Sequence, residues 1–195
     1  MSQAFESALF NLLKKIDGTI PDTVEDRVKV FIAGGAAVHF YTGYRISGDL
    51  DASFSRRLAL SDDTQVAYKN EAGENVLLYL DMQYSTSFAL IHEDHKDDSR
   101  PDSLTTSRLR HLDVRYLSPV DLAVSKIARL EQHDREDIIE LARRGMIDAQ
   151  SVQKRANEAL SNFVGYVDRL KTSIDIACND IESVQSATPA QRPGP

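Results

Sequence analysis

Apolar residues in the first third of the chain follow first a helical spacing and then a strand pattern. They recur every three or four positions over residues 3–16, which predicts an amphipathic helix that closes near Gly18. The apolar run 28–33 predicts a buried strand, residues 36–42 a short helix, and residues 50–54 the next strand. This order predicts that a sheet begins in the N-terminal half.

The middle of the chain contains weaker signals. We expect an irregular or helical segment up to about Asn70, a third strand over residues 75–84, and a candidate fourth strand over residues 88–91. Residues 93–107 contain acids, serines, threonines and a proline, a composition typical of a loop. Residues 111–117 predict the last strand. The result is a small mixed sheet with helices against it.

The second half of the chain has helical signals throughout. Ser118 and Pro119 suit an N-cap and a first helical turn, so a helix or a helix pair is predicted from there to Gly145. Apolar residues then step by three or four over residues 152–181, which predicts a long amphipathic helix with a candidate break near Gly165.

These patterns predict an α+β fold in which a small mixed β-sheet core is followed by a C-terminal helical annex. We expect the core, with its N-terminal helix, to span residues 1–117 and the helical region to span residues 118–184. Residues 185–195 are rich in proline and small polar residues, which predicts a disordered tail.

Composition and charge limit the classes of protein. The net charge of −7 argues against a general nucleic-acid coat, because phosphate affinity comes largely from lysine and arginine. The single cysteine, Cys178, indicates a reducing compartment. No apolar run approaches the ~20 residues that span a bilayer, and the N-terminus lacks the features of a signal peptide, so we expect a cytoplasmic protein without membrane contact. Local basic grooves could still form at Arg56 with Arg57, or at Arg108, Arg110, His111 and Arg115.

The strongest chemical signal lies between residues 34 and 51. Gly34 and Gly35 follow an apolar strand and open a helix, where free backbone N–H groups and the helix dipole favour a phosphate. Asp49 and Asp51 alternate on the next strand, so both carboxylates point to one face about 7 Å apart along the chain. Two such carboxylates can hold divalent metals, although Asp-x-Asp alone is also common in solvent-facing turns.

A third carboxylate could complete this site. Asp81 and Asp113 each lie between apolar residues of a predicted strand. We favour Asp81, because its strand follows that of the Asp-x-Asp pair after one connecting segment. Either residue could instead be a solvated surface acid.

The glycine turn and the Asp-x-Asp pair resemble the signature of the nucleotidyltransferase superfamily. A narrower resemblance, over about residues 31–165, is to the bacterial nucleotidyltransferase-like family DUF6036, which is itself similar to the AbiEii and MenT toxin nucleotidyltransferases. The further segments that contribute to this resemblance are 80–84, 88–95, 117–129 and 134–138.

The resemblance implies functional residues beyond the acidic ones. A lysine and a later aspartate belong to the active site of the toxin-like relatives, which nominates Lys126 as catalytic and Asp137 for nucleotide binding. Arg129 joins Asp137 in that role, because the two would share a face with Lys126 if one continuous helix carried them. The alternative for this face is a salt-bridged surface. Gly34, Gly35, Arg45 and Ser47 are further candidates for nucleotide binding.

The resemblance also implies an activity: Mg²⁺- or Mn²⁺-dependent transfer of a nucleoside monophosphate from an NTP to a hydroxyl on RNA or protein. Asp49, Asp51 and Asp81 would hold the metal and act as catalytic residues together with Lys126. Such a protein could be the toxin of a pair with a cognate antitoxin. The alternative is an inactive module that keeps the fold and binds a nucleotide or a partner.

Overall fold

The computed structural model describes residues 3–84, 89–163 and 166–187, and shows an α+β protein with small mixed sheets and C-terminal helices. The chain divides into two compact units. The first consists of the described residues within 1–85 and 94–118, and the second of those within 86–93 and 119–195. The first unit contains the strands, and the second contains four helices among its described residues.

The first unit begins with two helices and the strand between them. Helix α1 (Gln3–Asp17) precedes strand β1 (Val28–Ile32), and helix α2 (Gly34–Thr42) follows after one residue. Strands β2 (Asp49–Leu50) and β3 (Ala52–Phe54) come next, with Asp51 between them. Four of the five residues of β1 are buried, as its apolar run predicts.

The remaining elements of this unit are short. They are β4 (Gln65–Lys69), β5 (Asn75–Leu80), a 3₁₀ helix (Glu93–Lys96) that starts at the boundary between the units, β6 (Arg100–Pro101), α3 (Ser103–Ser107) and β7 (Leu112–Tyr116). One sheet has the order β3-β1-β7-β6, and the other the order β2-β5-β4. Both are mixed, since β1 pairs parallel with β7 and β2 pairs parallel with β5, while the other pairs are antiparallel.

The strand predicted over residues 50–54 is in fact two strands in different sheets. The chain leaves the second sheet after Leu50 and joins the first sheet at Ala52. Two backbone hydrogen bonds hold the crossing point: Ala33 N–H donates to Asp51 O at 2.9 Å, and Asp81 N–H donates to Leu50 O at 3.0 Å. The backbone of Asp51 is thereby fixed beside the start of α2.

Several local predictions for residues before 118 were wrong. The segment before Asn70 contains β4, and the strand predicted over residues 75–84 ends at Leu80. The loop predicted over residues 93–107 contains the 3₁₀ helix, β6 and α3. Of the candidate strand 88–91, residue 88 lies outside the described residues and residues 89–91 are not a strand.

The helical unit contains α4 (Pro119–Ile127), α5 (Gln132–Arg143), α6 (Ala149–Leu160) and α7 (Val167–Ala187). Helix α7 packs on α5 and α6, and α4 packs on α5 and α6. Gly145 adopts the left-handed conformation just after α5, as expected for a glycine that ends a helix. Asp121 joins α4 to α6 through Arg155 at 2.7 Å, and Asp121 is only 3% exposed.

Of the two alternatives for the segment that starts at Pro119, the structure shows the helix pair, because the chain turns at Leu130, where φ is 49°. The tail predicted from residue 185 begins too early, because α7 continues to Ala187, and the rest of it lies outside the described residues. The break near Gly165 also falls on residues outside the described ranges, but α6 and α7 are separate helices on either side of it.

Candidate functional site

Three carboxylates come together at the edge of the second sheet. Asp49 lies in β2, Asp51 follows β2 directly, and Asp81 follows β5 directly. Because β2 and β5 run parallel with Leu50 opposite Leu80, their carboxyl ends lie at the same edge. One oxygen atom from each of the three carboxylates lies within 4.8 Å of the others, and all three residues are half-buried.

Asp113, the alternative third acid, lies elsewhere. It is in β7, in the middle of the other sheet, and its carboxylate is 3.6 Å from Arg115 Nη1. The structure therefore brings Asp81, and not Asp113, to the Asp-x-Asp pair. Its role as a metal ligand stays a prediction.

Hydrogen bonds orient two of these carboxylates. Ser47 Oγ donates to Asp49 Oδ1 at 2.5 Å, and Gln83 N–H donates to Asp81 Oδ1 at 2.8 Å. Tyr84 lies near the same group, where burial and then the charge of Asp51 raise the pKa of its hydroxyl above its usual range. The phenol therefore stays protonated beside the acids and can act as a hydrogen-bond donor.

The glycine turn fits closely around this acidic group. Gly34 has φ +57°, and a Cβ at this position would lie 1.7 Å from Asp51 Oδ2. A Cβ on Gly35 would lie 2.7 Å from Ser47 Oγ. Glycine is required at residue 34 both by the left-handed backbone and by the approach of the Asp51 carboxylate, and at residue 35 by the approach of Ser47.

The N-cap residue of α2 is Ala33, whose side chain cannot cap the first turn. Uncapped N–H groups at the start of a helix, together with the helix dipole, favour a phosphate oxygen. Arg45 is close by, with its Nε 3.7 Å from the position of a Cβ on Gly35. Backbone donors, a cation and three carboxylates thus lie in one small region.

A cavity of about 280 Å³ adjoins Asp81. Arg56, Arg57 and Tyr84 line it together with apolar residues from β3, β5 and the segments after them. Of the two basic clusters in the sequence, this arginine pair is the one beside the acids. In the other cluster, Arg110 and His111 contact Asp22, Arg115 contacts Ser99 and Asp113, and Arg108 stacks on Phe10.

Lys126, Arg129 and Asp137 lie in the helical unit, where an ion-pair network connects them. Lys126 Nζ is 2.8 Å from Asp137 Oδ2 and 3.7 Å from Asp134 Oδ1, and Lys126 is 6% exposed. Arg129 forms two hydrogen bonds to Asp134, at 2.7 and 2.8 Å. The pairing of Lys126 is therefore buried, unlike the surface ion pair considered from sequence.

The expectation that Lys126, Arg129 and Asp137 share one face of a continuous helix was wrong. Lys126 lies in α4, Asp137 in α5, and Arg129 in the connection between them. The ion pairs instead follow from packing α4 against α5.

Asp134 is the member of this network that sequence reasoning missed. Burial alone would raise the pKa of its carboxyl, but the hydrogen bonds from Arg129 and the charges of Lys126 and Arg129 lower it below its ordinary value. Its side chain also accepts a hydrogen bond from Glu131 N–H as part of a capping box at the start of α5. An acid three residues after Glu131 was the available sequence signal.

Comparison with known proteins identifies the family. The family DUF6036, described as nucleotidyltransferase of unknown function, matches residues 7–185, and the chain belongs to it. No curated protein and no solved structure matches the chain. Within residues 3–84, 89–163 and 166–187, no helix has the length and apolar character needed to cross a membrane.

Proposed function

We propose that this member of the DUF6036 family transfers a nucleoside monophosphate from an NTP to a hydroxyl group, with a divalent metal held by Asp49, Asp51 and Asp81. The observation that carries the proposal is the group of three carboxylates within 4.8 Å of one another, beside the glycine turn that opens α2. Membership of a nucleotidyltransferase family supports it.

The donor set fits a hard divalent cation. All three side chains offer carboxylate oxygens, the ligands that Mg²⁺ and Mn²⁺ prefer, and no histidine or cysteine belongs to the group. A bound cation would neutralise charge on the triphosphate and favour attack by a hydroxyl at the α-phosphorus.

The proposal assigns a role to the glycine turn, to Arg45 and Ser47, and to Asp81. The backbone N–H groups at Gly34 and Gly35 bind a phosphate oxygen, and Arg45 balances negative charge on the triphosphate. Ser47 fixes the orientation of Asp49 through its 2.5 Å hydrogen bond. Asp81 orients the acceptor hydroxyl and takes its proton.

The helical unit enters the proposal through the resemblance to toxin nucleotidyltransferases. We assign Lys126, Arg129 and Asp137 to the nucleotide site on that ground. Because Lys126 is only 6% exposed and lies 2.8 Å from Asp137, the aspartate would hold the ammonium group in one orientation. Asp137 is then a positioning residue for Lys126.

The acceptor in this proposal is RNA or protein, and the cavity beside Asp81 favours RNA. Arg56 and Arg57 line that cavity, and arginine pairs suit the phosphates of a nucleic acid. An RNA-modifying activity of this kind could arrest growth, so we extend the proposal to the toxin of a toxin–antitoxin pair. Induced expression in a bacterial host should then slow growth, and Asp49→Asn with Asp51→Asn should relieve the effect.

A transfer assay tests the proposed function. The protein is incubated with Mg²⁺, each of the four α-labelled NTPs, and either total RNA or total protein. We expect label in RNA with one preferred nucleotide, and none with the Asp49→Asn, Asp51→Asn double variant. If the nucleotide binds and raises the melting temperature but no label is transferred to either acceptor, the chain is an inactive nucleotide-binding module.

A further inference from the structure

The outer face of the second sheet exposes apolar side chains beside the acidic group, which consists of Asp49, Asp51 and Asp81. Along β5, Leu78 and Leu80 are buried on the inner face, whereas Leu77 and Tyr79 on the outer face are 52% and 47% exposed. We propose that an unpaired base of the acceptor RNA stacks on the ring of Tyr79. This inference rests on the proposed function, because it describes how the same site holds its acceptor.

Strand pairing places Tyr79 next to the acidic group. In the parallel pair of β2 and β5, Tyr79 lies opposite Asp49, and Leu80 lies opposite Leu50. Because Leu50 and Leu80 are both buried, Asp49 and Tyr79 direct their side chains to the outer face. Asp81 comes two residues after Tyr79 and lies on that face as well, about 7 Å further along the chain.

The exposed apolar residues of this face are neighbours. Ala67 of β4 lies opposite Leu77 and is also exposed, and Met82, which follows Asp81, is 47% exposed. Single exposed apolar residues are common on protein surfaces and need no functional reason, but an apolar patch that adjoins a polar site is typical of a binding surface. A tyrosine ring on an open sheet face is accessible to a flat base, as stacking requires.

Tyr79 lies on the side of the acidic group from which the acceptor approaches. Asp51 O accepts a hydrogen bond from Ala33 N–H, at the glycine turn, whereas Leu50 O accepts one from Asp81 N–H. Strand β2 and Asp51 therefore lie between β5 and the glycine turn, to which the proposed function assigns the triphosphate. In phosphoryl transfer the attacking and leaving oxygens lie roughly in line on opposite sides of the phosphorus. With the pyrophosphate at the glycine turn, the acceptor approaches from β5, where Tyr79 lies.

The charges beside this face favour RNA over a protein as the acceptor. Arg56 and Arg57 are exposed and line the cavity that adjoins Asp81. Arginine binds phosphate groups through paired hydrogen bonds, and such contacts position a nucleic acid. The tyrosine ring and the arginine pair both lie beside Asp81, so one RNA strand can contact them together.

Two RNA oligomers test the stacking on the wild-type protein. One is a short single-stranded RNA of mixed sequence with a terminal fluorophore, and the other has the same backbone and fluorophore but no bases. Fluorescence anisotropy measures both affinities with Mg²⁺ and without NTP, so that no transfer takes place. We expect the RNA with bases to bind at least about fivefold more tightly, which corresponds to about 1 kcal/mol and to the lower end of the contribution of one stacked base.

Variants assign this difference to one ring. Tyr79→Thr removes the ring and keeps a residue that suits a strand, so it should bind the RNA with bases at least about fivefold more weakly and the abasic RNA as the wild type does. Tyr79→Phe keeps the ring and should bind both oligomers like the wild type. Tyr166→Thr is the matched control, because it removes a 77% exposed tyrosine from the helical unit, and it should also bind like the wild type.

These measurements can fail independently of the proposed function. Equal binding of the two oligomers by the wild type, wild-type affinity in Tyr79→Thr, or no binding of either oligomer would overturn the stacking proposal. In the transfer assay, Tyr79→Thr should raise the KM for RNA at least about fivefold and leave the KM for NTP unchanged. Label transfer to RNA with an unchanged KM in this variant would refute the stacking alone. RNA binding that depends on Tyr79, without any transfer by the wild type, would refute the nucleotidyl transfer alone.

Discussion

The close approach of the Asp51 carboxylate to Gly34 gives a sharp test of the geometry of the candidate site. In Gly34→Ala, the new Cβ would lie 1.7 Å from Asp51 Oδ2. The carboxylate would have to move by about 1.7 Å to reach an ordinary contact of about 3.4 Å. Metal–oxygen distances of about 2.0–2.1 Å for Mg²⁺ allow only a few tenths of an ångström of error, so Asp51 would no longer be a ligand.

A matched control separates this clash from backbone strain. Gly73 also has a positive φ, +79°, but nothing lies within 4 Å of the position of its Cβ. The left-handed conformation costs a non-glycine residue about 1–2 kcal/mol, so Gly73→Ala should lose about that much stability, and Gly34→Ala at least that much, because its Cβ also displaces the Asp51 carboxylate. Gly34→Ala alone should also lose metal affinity, by at least about tenfold, which corresponds to about 1.4 kcal/mol.

The assay compares the two variants with the wild type. Urea unfolding measures the free energy of unfolding, and electron paramagnetic resonance of free Mn²⁺ measures the affinity. If Gly34→Ala binds Mn²⁺ as tightly as Gly73→Ala does, Asp51 is not a ligand and the reasoning fails.

Three further predictions concern the helical unit. Lys126→Ala leaves the buried carboxylates of Asp134 and Asp137 without the cation that they share. The free energy of unfolding, measured in urea, should therefore fall by about 3–5 kcal/mol, and a fall below about 1 kcal/mol would contradict the buried pairing. The pKa of Asp134 is lower in the folded state than its ordinary value of 3.8. The ionised carboxylate therefore stabilises the folded state above about pH 3.8, and this stabilisation disappears as the pH falls through the lower, folded-state pKa. In Asp134→Asn, the free energy of unfolding should therefore fall less steeply below about pH 4 than in the wild type. The same pH dependence in both proteins would contradict the lowered pKa of Asp134. Burial, and then Asp175 and Glu182, raise the pKa of Cys178 to about 11, so iodoacetamide at pH 8 should label it at least about tenfold more slowly in the folded chain than in urea; equal rates would contradict its burial.

The sequence predicted best those features that depend on neighbouring residues. The glycine turn was predicted from the apolar run that forms β1. The start of α4 at Pro119 was predicted from the preference of serine for the N-cap and of proline for the first helical turn. Asp81 was preferred because its strand was expected to follow that of Asp49 and Asp51 after one connecting segment. Strands β3 and β4 in fact intervene, and the carboxylate of Asp81 lies with those of Asp49 and Asp51 because β2 and β5 pair in parallel.

The features that sequence reasoning missed depend on contacts between distant segments. Strand β4 is an edge strand, and its alternating Val66 and Tyr68 are only half-buried, so its pattern was weak. The change of sheet at Asp51 follows from pairing with β1 on one side and β5 on the other. No local pattern encodes such pairings.

The pairing of Lys126 shows the same limit in the helical unit. Steps of three and four residues predicted that Lys126, Arg129 and Asp137 share one helix face. The turn at Leu130, however, replaces one helix face with two packed helices, so Lys126 pairs with Asp134 and Asp137 in a buried cluster, which the exposed Arg129 contacts through Asp134.

The position of the label in the transferred group tests the central claim most directly. Wild-type protein with Mg²⁺ and its acceptor receives the same NTP labelled either at the α-phosphate or at the γ-phosphate. Nucleotidyl transfer at the Asp49, Asp51 and Asp81 site predicts acceptor labelling from the α-labelled NTP alone, release of the γ-label as pyrophosphate, and loss of both with Asp81→Asn. Transfer of the γ-label, or α-label transfer that persists in Asp81→Asn, would contradict the account.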